Sequence, residues 1–92
     1  MKVKQLLYPT STGQITLRNV TYLQIGVERP HSAPISEIED FNVVLSINGI
    51  TYTVTDKEIL EFGDVYFTTL SINILDANNP YLIVDLGYRT AD

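Results

Sequence analysis

Asn48-Gly49, set between two runs of alternating apolar and polar residues, constrains this chain more than any other feature. The runs are Phe41-Asn42-Val43-Val44-Leu45-Ser46-Ile47 and Ile50-Thr51-Tyr52-Thr53-Val54-Thr55. A two-residue turn between strands is most often type I′, which needs positive φ at both central residues, and Asn-Gly is the pair that tolerates it best. Such a turn fixes the register. Ile47 falls opposite Ile50, Leu45 opposite Tyr52 and Val43 opposite Val54 on one face, while the other receives Ser46 with Thr51, Val44 with Thr53 and Asn42 with Thr55. One face is apolar and the other largely polar, so a hairpin with one buried side is predicted.

The remaining periods are also those of strands. In residues 65–75, Tyr66, Leu70, Ile72 and Ile74 alternate with Thr69, Ser71 and Asn73. Asp76-Ala77-Asn78-Asn79-Pro80 carries turn chemistry, and residues 81–88 return with Leu82, Val84 and Leu86 on one face, which reads as a second hairpin. Residues 3–8, 14–18 and 20–27 give three more short strands, the last with Leu23, Ile25 and Val27 facing together. Thr55-Asp56-Lys57-Glu58 fits a capping box, so a short helix is expected there, with Ile59, Leu60 and Phe62 on its apolar side and Gly63 as its stop. The competing reading continues the strand through this segment. Residues 28–40, with Pro30 and Pro34, have no firm period and read as a loop or strap.

The fold expected is therefore all-β: a small antiparallel β-sandwich or barrel of about seven strands with one short helix, the sandwich preferred. With 92 residues there is room for one hydrophobic core, so residues 1–92 are read as a single domain. A chain this short buries roughly 60 to 65% of its unfolded surface, which leaves its stability marginal unless a partner covers more.

Composition removes several function classes. Cysteine is absent, which excludes a disulfide framework, a thiolate nucleophile and a cysteine zinc site. Net charge is −5, against a nucleic-acid backbone as partner. The charge is unevenly spread. Lys2, Lys4, Arg18 and Arg29 oppose only Glu28 in residues 1–30, whereas residues 31–92 are strongly acidic, a pattern open to head-to-tail association. No apolar run is long enough to cross a bilayer as a helix, and the start before Pro9 is too short for a secretory signal, so a cytoplasmic or virion location is expected. Asn19-Val20-Thr21 matches a glycosylation acceptor and is read as a chance match.

No catalytic constellation closes. His31, the only histidine, lies between prolines in the strap, and Ser32 and Ser36 near it have no nucleophile elbow. The carboxylates Glu37, Glu39 and Asp40, and Asp56, Glu58, Glu61 and Asp64, fit neither a calcium loop nor a glycosidase pair, and read as a solvated face and helix-start charges. Asp76, Asn78 and Asn79 read as turn residues rather than calcium ligands. The five glycines are dispersed, which excludes a phosphate cradle. Catalytic, metal and cofactor sites are all expected to be missing.

What is left is binding. Val44, Val65, Phe67, Tyr81 and Ile83 fall on the outer faces of their strands, where a lone monomer would carry charge, and are the candidate interaction residues. Residues 65–75 contain no Lys, Arg or Pro to discourage strand pairing. These traits predict a non-catalytic structural or interaction protein, a homo-oligomer or one piece of a larger protein assembly; a subunit of a virus-like or phage-like particle is one such role. The alternative is a small-ligand or carbohydrate-binding module using Tyr8, Tyr22, Tyr81 and Tyr88.

Overall fold

Asn48 at φ 48° and Gly49 at φ 85° form the turn that the sequence requires. The computed structural model describes residues 2–9, 13–28, 41–55, 58–78 and 81–91. Within them the chain forms β1 (Lys2–Leu7), β2 (Gln14–Glu28), β3 (Asn42–Ile47), β4 (Ile50–Thr55), β5 (Leu60–Phe62), β6 (Phe67–Ala77) and β7 (Ile83–Thr90). These seven strands pair antiparallel in one sheet of order β1-β7-β2-β6-β3-β4, with β5 also on β2. The β3–β4 register is the one the turn dictates, from Ile47↔Ile50 to Asn42↔Thr55. Asn48 also stitches the turn to β6: its side-chain oxygen accepts from the Ser71 N–H at 2.8 Å, and its amide donates to the Thr69 carbonyl at 3.1 Å.

β2 organises the sheet. At about 3.3 Å per residue its 15 residues would span nearly 50 Å, against a longest molecular dimension of 43 Å. It therefore runs the length of the molecule and bends. The bend is at Asn19, whose φ of 56° is one an asparagine tolerates. A register shift follows between Val20 and Tyr22. Before the bend β2 pairs with β6; after it, β2 pairs with β7 on one side and β5 on the other. Sequence periodicity divides this strand at Asn19, where the chain bends without ending.

Three expectations are corrected. Residues 65–75 and 81–88 do not form a hairpin: β2 lies between β6 and β7 and pairs with both. β6 pairs with β2 over residues 67–73 and with β3 over residues 72–77, so the uncharged 65–75 run is an open edge only in part. No helix forms among the described residues after Thr55. Leu60, Glu61 and Phe62 instead pair with Ile25, Gln24 and Leu23. The apolar-polar-apolar order lets Leu60 and Phe62 reach the core while Glu61 faces out, and Phe62 meets Tyr52 and Phe67 edge-on at 5.8 and 6.3 Å. A capping box satisfies a few backbone groups; pairing on β2 satisfies the ladder and buries two large side chains as well. Asp56 and Lys57 lie outside the described residues.

The core is the inner face of this sheet. Leu23, Ile25, Val84, Leu86 and Leu7 come from one end and Val43, Leu45, Val54, Leu70 and Ile72 from the other, all fully buried, with Phe41 and Leu82 between strands. Each such side chain contributes about 1.5 to 3 kcal/mol on burial. Tyr52 of β4 reaches Phe62 of β5, although β4 is three strands from β2 in the sheet, so the sheet curls over its own core. Tyr66, assigned by alternation to the core, is instead exposed, its hydroxyl donating to the Asn19 side chain at 2.9 Å across the bend.

Candidate functional site

The five outer-face residues fall into separate places. Val44 is half-buried between Asp76 and Thr53 at the Gln14 end of β2. Ile83 is half-buried opposite Glu28, at the other end of that strand. Tyr81 is exposed just before β7, and Val65 is half-buried in the excursion between β5 and β6. Phe67 turns toward the core and packs on Phe62. A 15-residue strand separates Val44 from Ile83, so these residues do not share one surface.

Val44 does have a partner that alternation hides. The β3–β6 register shifts between Val44 and Leu45, which pair with Asp76 and Ile74 and leave Leu75 as the extra residue of a bulge. A bulge re-aims its side chain, and Leu75 is 52% exposed. The outer face around it is mostly neutral and polar: Gln14, Asn73, Ser46 and Thr51 form one row across four strands and Thr16 and Ser71 sit in the next, with Asp76 beside Val44 and Arg18 beyond Thr16 as its charges.

The strands at the two ends of the main path, β1 and β4, differ as edges, and the three-residue β5 forms a further short edge on β2. β1 carries exposed Lys2 and Lys4, a common guard against edge-to-edge pairing. β4 carries no charge from Ile50 to Thr55, and Ile50 is 60% exposed. In a hairpin closed by a two-residue turn, Ile50, Tyr52 and Val54 exchange hydrogen bonds with β3, which turns the backbone groups of Thr51 and Thr53 to the open side. No strand of the described residues pairs there.

A second feature lies on the outer face of β1, β7 and β2, where a groove of about 650 Å³ runs over Gly26 and Gly87. Those glycines are diagonal neighbours, Gln24 pairing with Gly87 and Gly26 with Asp85. Lys2 and Lys4 flank the groove from β1, Glu58 and Ile59 from the segment before β5, Gln24, Glu28 and Asp85 add polar groups, and Val3 and Val27 add apolar ones. Lys4 Nζ lies 3.5 Å from the Asp85 carboxylate. A hydrogen bond with Asp85, together with partial desolvation and the charge of Asp85, pushes the Glu28 carboxyl above its ordinary value, and Lys4 opposes the shift. In the adjoining row Arg89 stacks over the Tyr22 ring at 5.2 Å; partial burial, then Glu61 beside it, push the Tyr22 phenol up. Sequence reading missed this site because it joins residues from both ends of the chain.

Other candidates are placed as follows. Glu58, Glu61 and Asp64 are exposed, and Asp76 lies beside Val44, while His31, Ser32, Ser36, Glu37, Glu39, Asp40, Asp56 and Asn79 lie outside the described residues. Among the described residues no group of three or more His, Asp or Glu side chains is placed to hold a metal ion, and no helix is long and apolar enough to cross a membrane. Of the tyrosines considered for sugar stacking, Tyr8 and Tyr81 are exposed, Tyr22 lies under Arg89, and Tyr88 is buried with its hydroxyl donating to Gln5 at 3.4 Å. Compared with known proteins, the chain matches no family model, no curated protein and no solved structure.

Proposed function

We propose that this protein is a non-catalytic assembly piece that associates through the open edge of β4. The observation that carries the reading is the contrast between edges: lysines stand along β1, and nothing charged stands along β4. Edge strands are ordinarily protected by charge, proline, bulges or a cover, because exposed N–H and C=O groups recruit further strands. An uncharged edge of alternating threonines suits pairing with a second copy of itself, since antiparallel apposition brings no like charges together. The neighbouring outer face, with Val44 and the bulge residue Leu75, adds apolar area beside the edge. In this reading the curled sheet is an incompletely closed barrel whose free edge is completed by another subunit. A homo-oligomer is the simplest product, and a repeated shell subunit of a virus-like or phage-like particle is a larger one.

Light scattering over a concentration series tests this at two ionic strengths. Association through β4 persists or strengthens between about 0.05 and 0.5 M salt, because the edge is uncharged and Ile50, Val44 and Leu75 beside it are apolar. A head-to-tail contact between the basic N-terminal third and the acidic remainder would weaken over the same range. Thr53→Lys guards the edge and is expected to give a folded monomer. A wild-type chain that is monomeric at high micromolar concentration removes self-association.

A further inference from the structure

We propose that the groove over Gly26 and Gly87 binds a neutral, polyhydroxylated ligand, a short oligosaccharide, with the peptide backbone of β2 and β7 as its floor. This site is separate from the β4 edge and does not depend on it. Glycine inside a strand weakens that strand and is ordinarily explained by a bulge, a positive φ or a close approach of other atoms. None of these applies here. Gly49 is the glycine with positive φ, and a Cβ built on Gly26 or on Gly87 meets nothing within 4 Å. What the two glycines provide is an uncovered floor, and the space above it, about 650 Å³, falls in the range of small-molecule sites, roughly 300 to 1,000 Å³.

The lining selects the ligand class. Two lysines face three carboxyl groups, and Lys4 is already spent on Asp85, so the groove has no cationic surplus to hold a phosphate and an excess of only one carboxyl group, too little to hold a polycation. An extended peptide lying on the floor has nothing to pair with, because β7 lies between β1 and β2 and its backbone groups are used in both ladders. Lys2 and the Gln24 amide offer donors, and Glu28 and Glu58 offer acceptors. Sugar hydroxyls both donate and accept, which suits such an alternation. Ile59, 64% exposed at the rim, offers an apolar contact for the C–H face of a ring.

The test uses the full chain and a panel of short neutral oligosaccharides built from glucose, galactose, mannose or N-acetylglucosamine, with sulfated and sialylated chains and inorganic phosphate as charged probes. Backbone amide NMR is the readout. At least one neutral oligosaccharide is expected to shift the Gly26, Gly87 and Gln24 amides at millimolar concentration. Gly87→Val, which meets open space without φ strain, is expected to weaken that binding about tenfold or more without lowering the melting temperature. Gly26→Val fills the same floor from the adjacent strand and replaces it if the first variant does not fold. Thr53→Lys is expected to bind like the wild type, which separates this site from the assembly edge. Absence of binding by every neutral chain, binding that survives the glycine substitution, or preference for sulfated, sialylated or phosphate probes overturns the proposal.

Discussion

Asn48 carries two jobs that separate under substitution. Its φ of 48° makes the turn, and its side chain makes two hydrogen bonds to the β6 backbone. Asn48→Gly keeps the backbone conformation and removes both bonds, so thermal unfolding should show a loss of about 1 to 2 kcal/mol with the hairpin register intact. A melting curve like the wild type would mean that the stitch contributes nothing. Glu28 gives the second prediction at this scale. Its folded carboxyl titrates above the ordinary 4.5, so the stability it contributes is complete below that value and is lost as pH rises through the folded one. Glu28→Gln, which keeps a donor toward Asp85, should therefore melt higher than the wild type at about pH 7, and the difference should shrink on acidification. Glu28 is exposed, so solvent screening keeps the effect small. A difference that grows toward acid pH would contradict the assignment.

Elements were legible in the sequence where a local rule fixed them. Asn48-Gly49 specified a turn and a register that appear as read, because a two-residue loop leaves the strands no other alignment, and two faces of which the inner one is buried or half-buried except at Ile50 beside the turn, which is exposed. Leu82, Val84 and Leu86 likewise lie in the core. Local rules did not specify which strands are neighbours. A turn-like stretch after β6 suggested a hairpin with β7, yet β2 lies between them, a pairing decided by side chains distant in sequence. The 60–62 segment illustrates the competition directly: capping chemistry favoured a helix, and burial of Leu60 and Phe62 on β2 favoured a strand. If that burial decides the outcome, Phe62→Ala should cost about 2 to 3 kcal/mol, somewhat below a fully buried phenylalanine, and should raise exchange of the 60–62 amides before global unfolding. A loss below about 0.5 kcal/mol would mean that the aromatic contacts with Tyr52 and Phe67 do not hold β5 in place. The groove was beyond sequence reading for a related reason. Gly26 and Gly87 are 61 positions apart in the chain, and only the β2–β7 register makes them neighbours.

At the scale of the molecule, one bent strand lets a single sheet cover its own core while the two ends of its main strand path are unlike, one bearing lysines and one of neutral threonines. The short chain has little surface to spare for burial, so covering the neutral edge with a second copy would add stability as well as build an assembly. The backbone amides of Thr51 and Thr53, which point away from β3, report on that edge directly. The decisive measurement is hydrogen exchange of these two amides as a function of protein concentration. Association through β4 predicts that both become protected as concentration rises, in parallel with the oligomer seen by light scattering, and that Thr53→Lys abolishes the protection. Oligomers that form while the Thr51 and Thr53 amides exchange as fast as in the dilute monomer would contradict the account.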